Sequence, residues 1–168
     1  MLGDVFSYLT DGANWSGSAG IAAFGIQQLL LTATALVIAV VVGLPPALYL
    51  GHRGWGGFLA VNVSNVGRAV PVFAVLLVLA LGPLGSEKFG PFGRAGLATL
   101  VALVLFALPP IITNAYVAVV EVDRGVIEAA RGMGMTEAKV FSSVQLPLAM
   151  PVVLTGIRLA LVQVWATA

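Results

Sequence analysis

Apolar residues fall along this chain in long blocks rather than in short alternating runs, a pattern that predicts helices buried all round and not half-exposed strands. The first block, Leu29 to Leu50, carries no charge and approaches the ~20 residues a helix needs to cross a hydrocarbon core. A shorter block, Ala69 to Leu84, follows the half-polar stretch Phe58 to Arg68, where Asn62, Ser64 and Asn65 predict a helix lying at the membrane interface. Ala95 to Val120 forms a third block, interrupted by Pro109 and Pro110, and Leu146 to Ala168 a fourth. Four crossings are therefore expected, in an all-α polytopic bundle. Residues 1–25 hold Asp4 and Asp11 with no Lys or Arg, which reads as a polar lead-in and lacks the positive start of a secretory signal.

Between the third and fourth blocks, Glu121 to Pro147 is too polar to cross and too patterned for a linker. Asp123 is placed to cap a short helix, along which Val126, Ile127, Ala130 and Met133 recur at helical spacing to make one apolar face. Gly132 and Gly134 stop it, since glycine supplies the left-handed geometry that ends helices. Thr136 then caps a second short helix with Val140, Phe141 and Val144 on one side, and Pro147 closes that helix and opens the last span. The expected product is a compact knob at the membrane surface, shaped for docking.

Composition fixes the solvent: 60% of the 168 residues are hydrophobic, 9% are charged, and the mean hydropathy is +1.05. Average soluble domains carry roughly a quarter charged residues, so this is a bilayer protein. A net charge of +1 gives no footprint for nucleic acid. Cysteine is absent, which removes disulfides and thiolate metal sites, and the lone His52 beside Arg53 reads as a solvated loop residue; no metal or cofactor is expected on this chain.

Basic residues set the orientation, because Lys and Arg in short loops are retained in the cytoplasm. Arg53 and Arg68 lie between blocks one and two, and Arg124, Arg131 and Lys139 between blocks three and four, so both loops are expected inside and the N-terminus outside. Arg158 is the one formal charge inside a block. It reads either as a residue lining a pathway or pairing with a neighbouring subunit, or as a side chain snorkelling to the nearby cytoplasmic interface, the second being preferred. The Pro45–Pro46 and Pro109–Pro110 pairs should kink or interrupt their helices, either to make room for a pathway or only to shape packing, with Asn114 placed to re-satisfy a freed carbonyl. Trp15 and Trp55 read as interfacial anchors.

An intramembrane hydrolase is excluded by inventory: the blocks hold no carboxylate, no histidine and no thiol for general-base or nucleophilic work. No Gly-x-x-x-x-Gly-Lys-Ser/Thr loop is present to cradle nucleotide phosphates, and no carboxylate sits in a block to relay protons. A non-pumping channel or structural subunit is compatible with composition alone.

Glu128, Ala129 and Ala130, then Gly134, then Val144, Leu146 and Pro147 stand at fixed offsets that resemble the EAA motif of ABC importer permeases, with Val144 in place of the usual Ile. The resemblance extends over roughly Leu29 to Ala168 and is closest to the glycine betaine, carnitine and choline branch, carried further by Val66 to Ala74, Ala107 to Ala118 and Val126 to Ala168. It implies a type I transmembrane domain over 26–168 behind an external lead-in over 1–25, with a cytoplasmic coupling loop over 121–147. In that family the EAA helix sits in a cleft of a separate ATP-binding subunit, two permease subunits pair, and an extracellular or periplasmic solute-binding protein delivers the substrate across a bacterial inner membrane. The resemblance also implies a fifth span beyond the position of Ala168, which leaves the domain C-terminally incomplete.

Overall fold

A computed structural model of the chain describes residues 2–18, 20–58, 62, 65, 71–86, 89–93 and 95–168. Six helices of nine residues or more organise them: α1 (Leu2–Thr10), α2 (Ile21–Arg53), α3 (Val72–Leu81), α4 (Gly96–Val120), α5 (Arg124–Gly132) and α6 (Glu137–Thr167). No strand occurs among the described residues. The chain is all-α, as its blocks predict.

Three of these helices, α2, α4 and α6, are long and apolar enough to cross a membrane. The second expected span is shorter than its block: α3 has 10 residues and reaches only about 15 Å. It ends where Gly82 adopts an extended conformation ahead of Pro83, and Ala69 and Val70, at the start of the expected span, lie outside the described residues, as does most of the expected interfacial helix from Phe58 to Arg68.

Small residues let the three long helices approach closely. Along α2, Ala35, Ala39, Gly43, Ala47 and Gly51 recur every four residues and are all buried, facing an α4 stripe of Leu103, Ala107, Ile111, Ala115 and Val119. A lipid-facing helix gains little from hydrophobic burial against another, so association rests on the close van der Waals packing that small residues permit. A Cβ built on Gly51 would stand 3.0 Å from the Tyr116 carbonyl oxygen, and one on Gly43 2.8 Å from Leu108 Cδ2. These contacts pair increasing numbers with increasing numbers, so α2 and α4 run parallel. Helix α6 runs opposite: its Gly156 faces Pro110 and Asn114, and Gln28 Nε2 donates to the Trp165 carbonyl at 3.2 Å.

Neither proline pair interrupts its helix; α2 continues through Pro45–Pro46 and α4 through Pro109–Pro110. Asn114 Nδ2 donates to the Pro110 carbonyl at 2.7 Å. That is not the bond expected for it: the carbonyls the two prolines leave without a donor belong to Leu105 and Phe106, whereas an asparagine side chain in a helix reaches back to its own i−4 position.

Candidate functional site: the α5 knob and its seat

Helix α5 begins at Asp123, whose Oδ1 accepts from the backbone N–H of Gly125 at 2.6 Å and of Val126 at 3.4 Å. It ends in a Schellman motif. Gly134, at φ +81°, donates to the Arg131 carbonyl at 2.9 Å, and Met135 donates to the Ala130 carbonyl at 3.2 Å. Helix α2 closes the same way, with Gly54 at φ +67° and Trp55 donating to the Leu50 carbonyl at 3.0 Å. Both glycines hold a left-handed conformation that a Cβ disfavours.

The three adjacent residues Glu128, Ala129 and Ala130 point in three directions. Ala130 is 2% exposed and faces the bundle, where Ile127 packs with Val119 and Val122. Ala129 is exposed beside Val126 and Met133, 43% and 72% exposed, which leaves an apolar strip facing away from the spans. The expected single apolar face is thus divided between a buried half and an outward half, because these side chains spread around about a third of the helix circumference. Glu128 lines a cleft of about 340 Å³ with Arg53, Arg124, Arg131, Gly51 and Gln145. The end of the bundle carrying α5 therefore collects the cations of two loops.

The second short helix is not separate. Thr136 stands at its N-cap with extended geometry but makes no side-chain cap bond. Instead of closing at Pro147, α6 runs on through a π turn, Phe141–Gln145, where Leu146 N–H donates to the Phe141 carbonyl. Proline lacks a donor and its ring clashes with the carbonyl four residues back, here Ser143; the widened turn accommodates that clash without ending the helix. Val144 is half-buried in this turn, Leu146 is half-buried just after it, and Pro147 is exposed.

His52, expected to be solvated, is held in a polar seat. Its side chain is 16% exposed, Nδ1 bonds Gln145 Oε1, and its ring tilts against Phe141 at 5.0 Å between centroids. Glu137 takes a two-pronged bond from Arg131, Nε to Oε1 at 2.8 Å and Nη2 to Oε2 at 3.0 Å, and its Oε2 stands 3.9 Å from His52 Nε2. Hydrogen bonding to Glu137, with its charge second, holds the Arg131 guanidinium above its usual pKa. Gln145 is 5% exposed. Sequence reading set His52 aside as a solvated loop residue and passed over Glu137 and Gln145; the spacing 137, 141, 145 on one helix was the only local signal.

Of the other expected site residues, Pro110 and Asn114 sit in the contact between α4 and α6, where a Cβ on Gly156 would stand 2.8 Å from the Pro110 carbonyl oxygen. Pro109 is half-buried beside them. Arg158 is exposed on α6, about 18 Å along the helix from Leu146.

A bundle of apolar helices with small-residue contacts, bearing a capped polar knob and a cluster of arginines at one end, is the form of a polytopic membrane protein. Residues 35–168 match the family described as binding-protein-dependent transport system inner membrane component, and the chain belongs to that family. It is 32% identical over 148 residues to the choline transport system permease protein OpuBD of Bacillus subtilis, covering 88% of this chain and 61% of the relative. It is 36% identical over 139 residues to the osmoprotectant import permease protein OsmY of Salmonella typhimurium, covering 81% and 55%. With the carnitine transport permease protein OpuCD of Listeria monocytogenes it shares 29% over 141 residues, 81% and 57%. The chain spans a little over half the length of these relatives.

Proposed function

We propose that this chain is the transmembrane permease subunit of an ATP-driven importer for osmoprotectants, quaternary amines of the glycine betaine, carnitine and choline kind. The observation that carries the reading is the α5 knob: a helix capped at Asp123, turned back at Gly134, seated on the spans through Ile127 and Ala130, and offering an outward strip of Val126, Ala129 and Met133. That strip fits a cleft in a separate ATP-binding subunit, which would supply nucleotide binding and hydrolysis. Closure of a pair of such ATPases biases two states of the permease, and the coupling can be no larger than the difference in their affinity for those states. A second permease subunit, identical or related, completes the pathway, and a solute-binding protein outside the cell delivers the amine. In this orientation the arginine-rich end faces the cytoplasm and α1 lies outside.

Arg158 fits this assembly as a residue that meets a polar partner in the pathway or on the second subunit. At about 18 Å beyond Leu146 it lies deep for a snorkelling side chain, and an unpartnered charge at the bilayer centre costs ~2.5–3.5 kcal/mol on insertion scales. Uptake of labelled betaine, choline and an amino acid into vesicles holding the complete complex, with and without ATP, tests the reading. ATP-dependent uptake of a quaternary amine is expected; uptake of the amino acid alone would overturn the substrate class, and ATP-independent flux would overturn the pump.

A further inference from the structure

We propose that His52 and Gln145, with the Glu137–Arg131 pair, form the linkage that passes movement of α5 to the span α2. This rests on the reading of α5 as the ATPase contact. His52 is the penultimate residue of α2 and meets three residues of α6 spaced by four: Glu137, Phe141 and Gln145. Glu137 in turn grips Arg131 of α5 through two charge-assisted bonds. Three elements therefore converge on one imidazole. A carboxamide oxygen only accepts, so Nδ1 of His52 carries the proton and donates to Gln145 Oε1.

Gln145, the last residue of the π turn, lies 5% exposed against α2, on the helix face it shares with Glu137 and Phe141. Burying a carboxamide in this way is costly unless it is bonded, so His52 and Gln145 hold each other in register. Ile127 packs α5 against the apolar cluster shared by the adjoining ends of α4 and α6; the polar chain ties it to α2, which the close contacts at Gly43 and Gly51 lock along its length to α4. Pushing α5 then moves the ends of all three spans together.

The test uses the whole transporter in proteoliposomes with its ATPase and binding protein, and reads ATP hydrolysed per solute imported. His52→Leu and Gln145→Leu are expected to leave the ATPase subunit bound while raising that ratio about fivefold or more, the scale of a typical coupling energy. His52→Asn, which keeps a donor near the Nδ1 position, should hold the ratio near the parent value. An unchanged ratio in both leucine variants overturns the linkage, as does an asparagine variant as uncoupled as the leucine one, which would make ring volume the cause. Should a leucine variant fail to assemble, Glu137→Leu, which removes both acceptors of Arg131, reads the α5 end of the linkage: the same rise in the ratio is expected, and an unchanged ratio overturns it. Ala129→Trp, on the outward strip, separates the two ideas: if it does not displace the ATPase, the docking reading of α5 falls. If it does displace it and the histidine variants remain coupled, the linkage alone falls.

Discussion

At the scale of single residues, Gly134 decides whether the knob can turn. Its φ of +81° is open to any side chain sterically, since a Cβ there meets nothing within 4 Å, so a substitution is penalised by backbone conformation alone. A Cβ in the left-handed region costs roughly 1–2 kcal/mol, less for Asn and more for a β-branched residue. Gly134→Asn should therefore retain ATPase copurification and uptake better than Gly134→Val, which should lower both together while membrane insertion stays intact. An order in which valine equals asparagine would mean that the turn is not the determinant. Asp123→Ala removes two cap bonds and should destabilise the first turn of α5 by about 1 kcal/mol, seen as faster amide exchange at Gly125 and Val126. Both residues were legible in the sequence because caps are local: a short polar acceptor or a glycine acts within three or four positions of itself. His52 was not, because its partner Gln145 lies 93 positions away and a lone histidine in a polar stretch carries no mark of what folds over it.

At the scale of elements, the two close helix contacts differ in what must yield. A methyl added at Gly43 would meet Leu108 Cδ2 at 2.8 Å, the far end of a flexible side chain, whereas one at Gly156 would meet Asn114 Cβ at 2.6 Å and the Pro110 carbonyl oxygen at 2.8 Å. Gly43→Ala should be tolerated, and Gly156→Ala should force α6 away from α4 at a cost of about 1–3 kcal/mol, as overpacking does. Thermal unfolding of the purified chain in detergent checks this; equal melting temperatures for the two variants would count against the packing described. The glycines themselves are visible in the sequence, but which of them faces backbone and which faces a mobile side chain depends on helix rotation, which a uniformly apolar span does not reveal. The same blindness explains Pro147. A proline ahead of an apolar run reads as a boundary, and only the register of the finished helix shows that a π turn absorbs it.

At the scale of the whole molecule, the parallel course of α2 and α4 carries information that neither helix holds alone. Gly43 and Gly51 meet α4 in ascending order, Gly57 comes within reach of the Tyr116 hydroxyl at one end, and Gly93 comes near Gln27 at the other. The chain between Gly54 and Ala95 must therefore return along the full length of the bundle, although α3 accounts for only about 15 Å of that path. The apolar blocks predict four crossings; three of them have helices long enough to span, and the second is required by topology rather than by the length of its helix. Positions 11 and 93 should thus share one side of the membrane, and positions 58 and 131 the other. Because the sequence contains no cysteine, single cysteines at these four places can be labelled with an impermeant maleimide in intact cells and again after permeabilisation. Labelling of 11 and 93 in intact cells, and of 58 and 131 only after permeabilisation, is expected. If 58 and 93 label together, the return path does not cross, α2 and α4 cannot both span in the same direction, and the placement of α5 on the ATPase side fails with them.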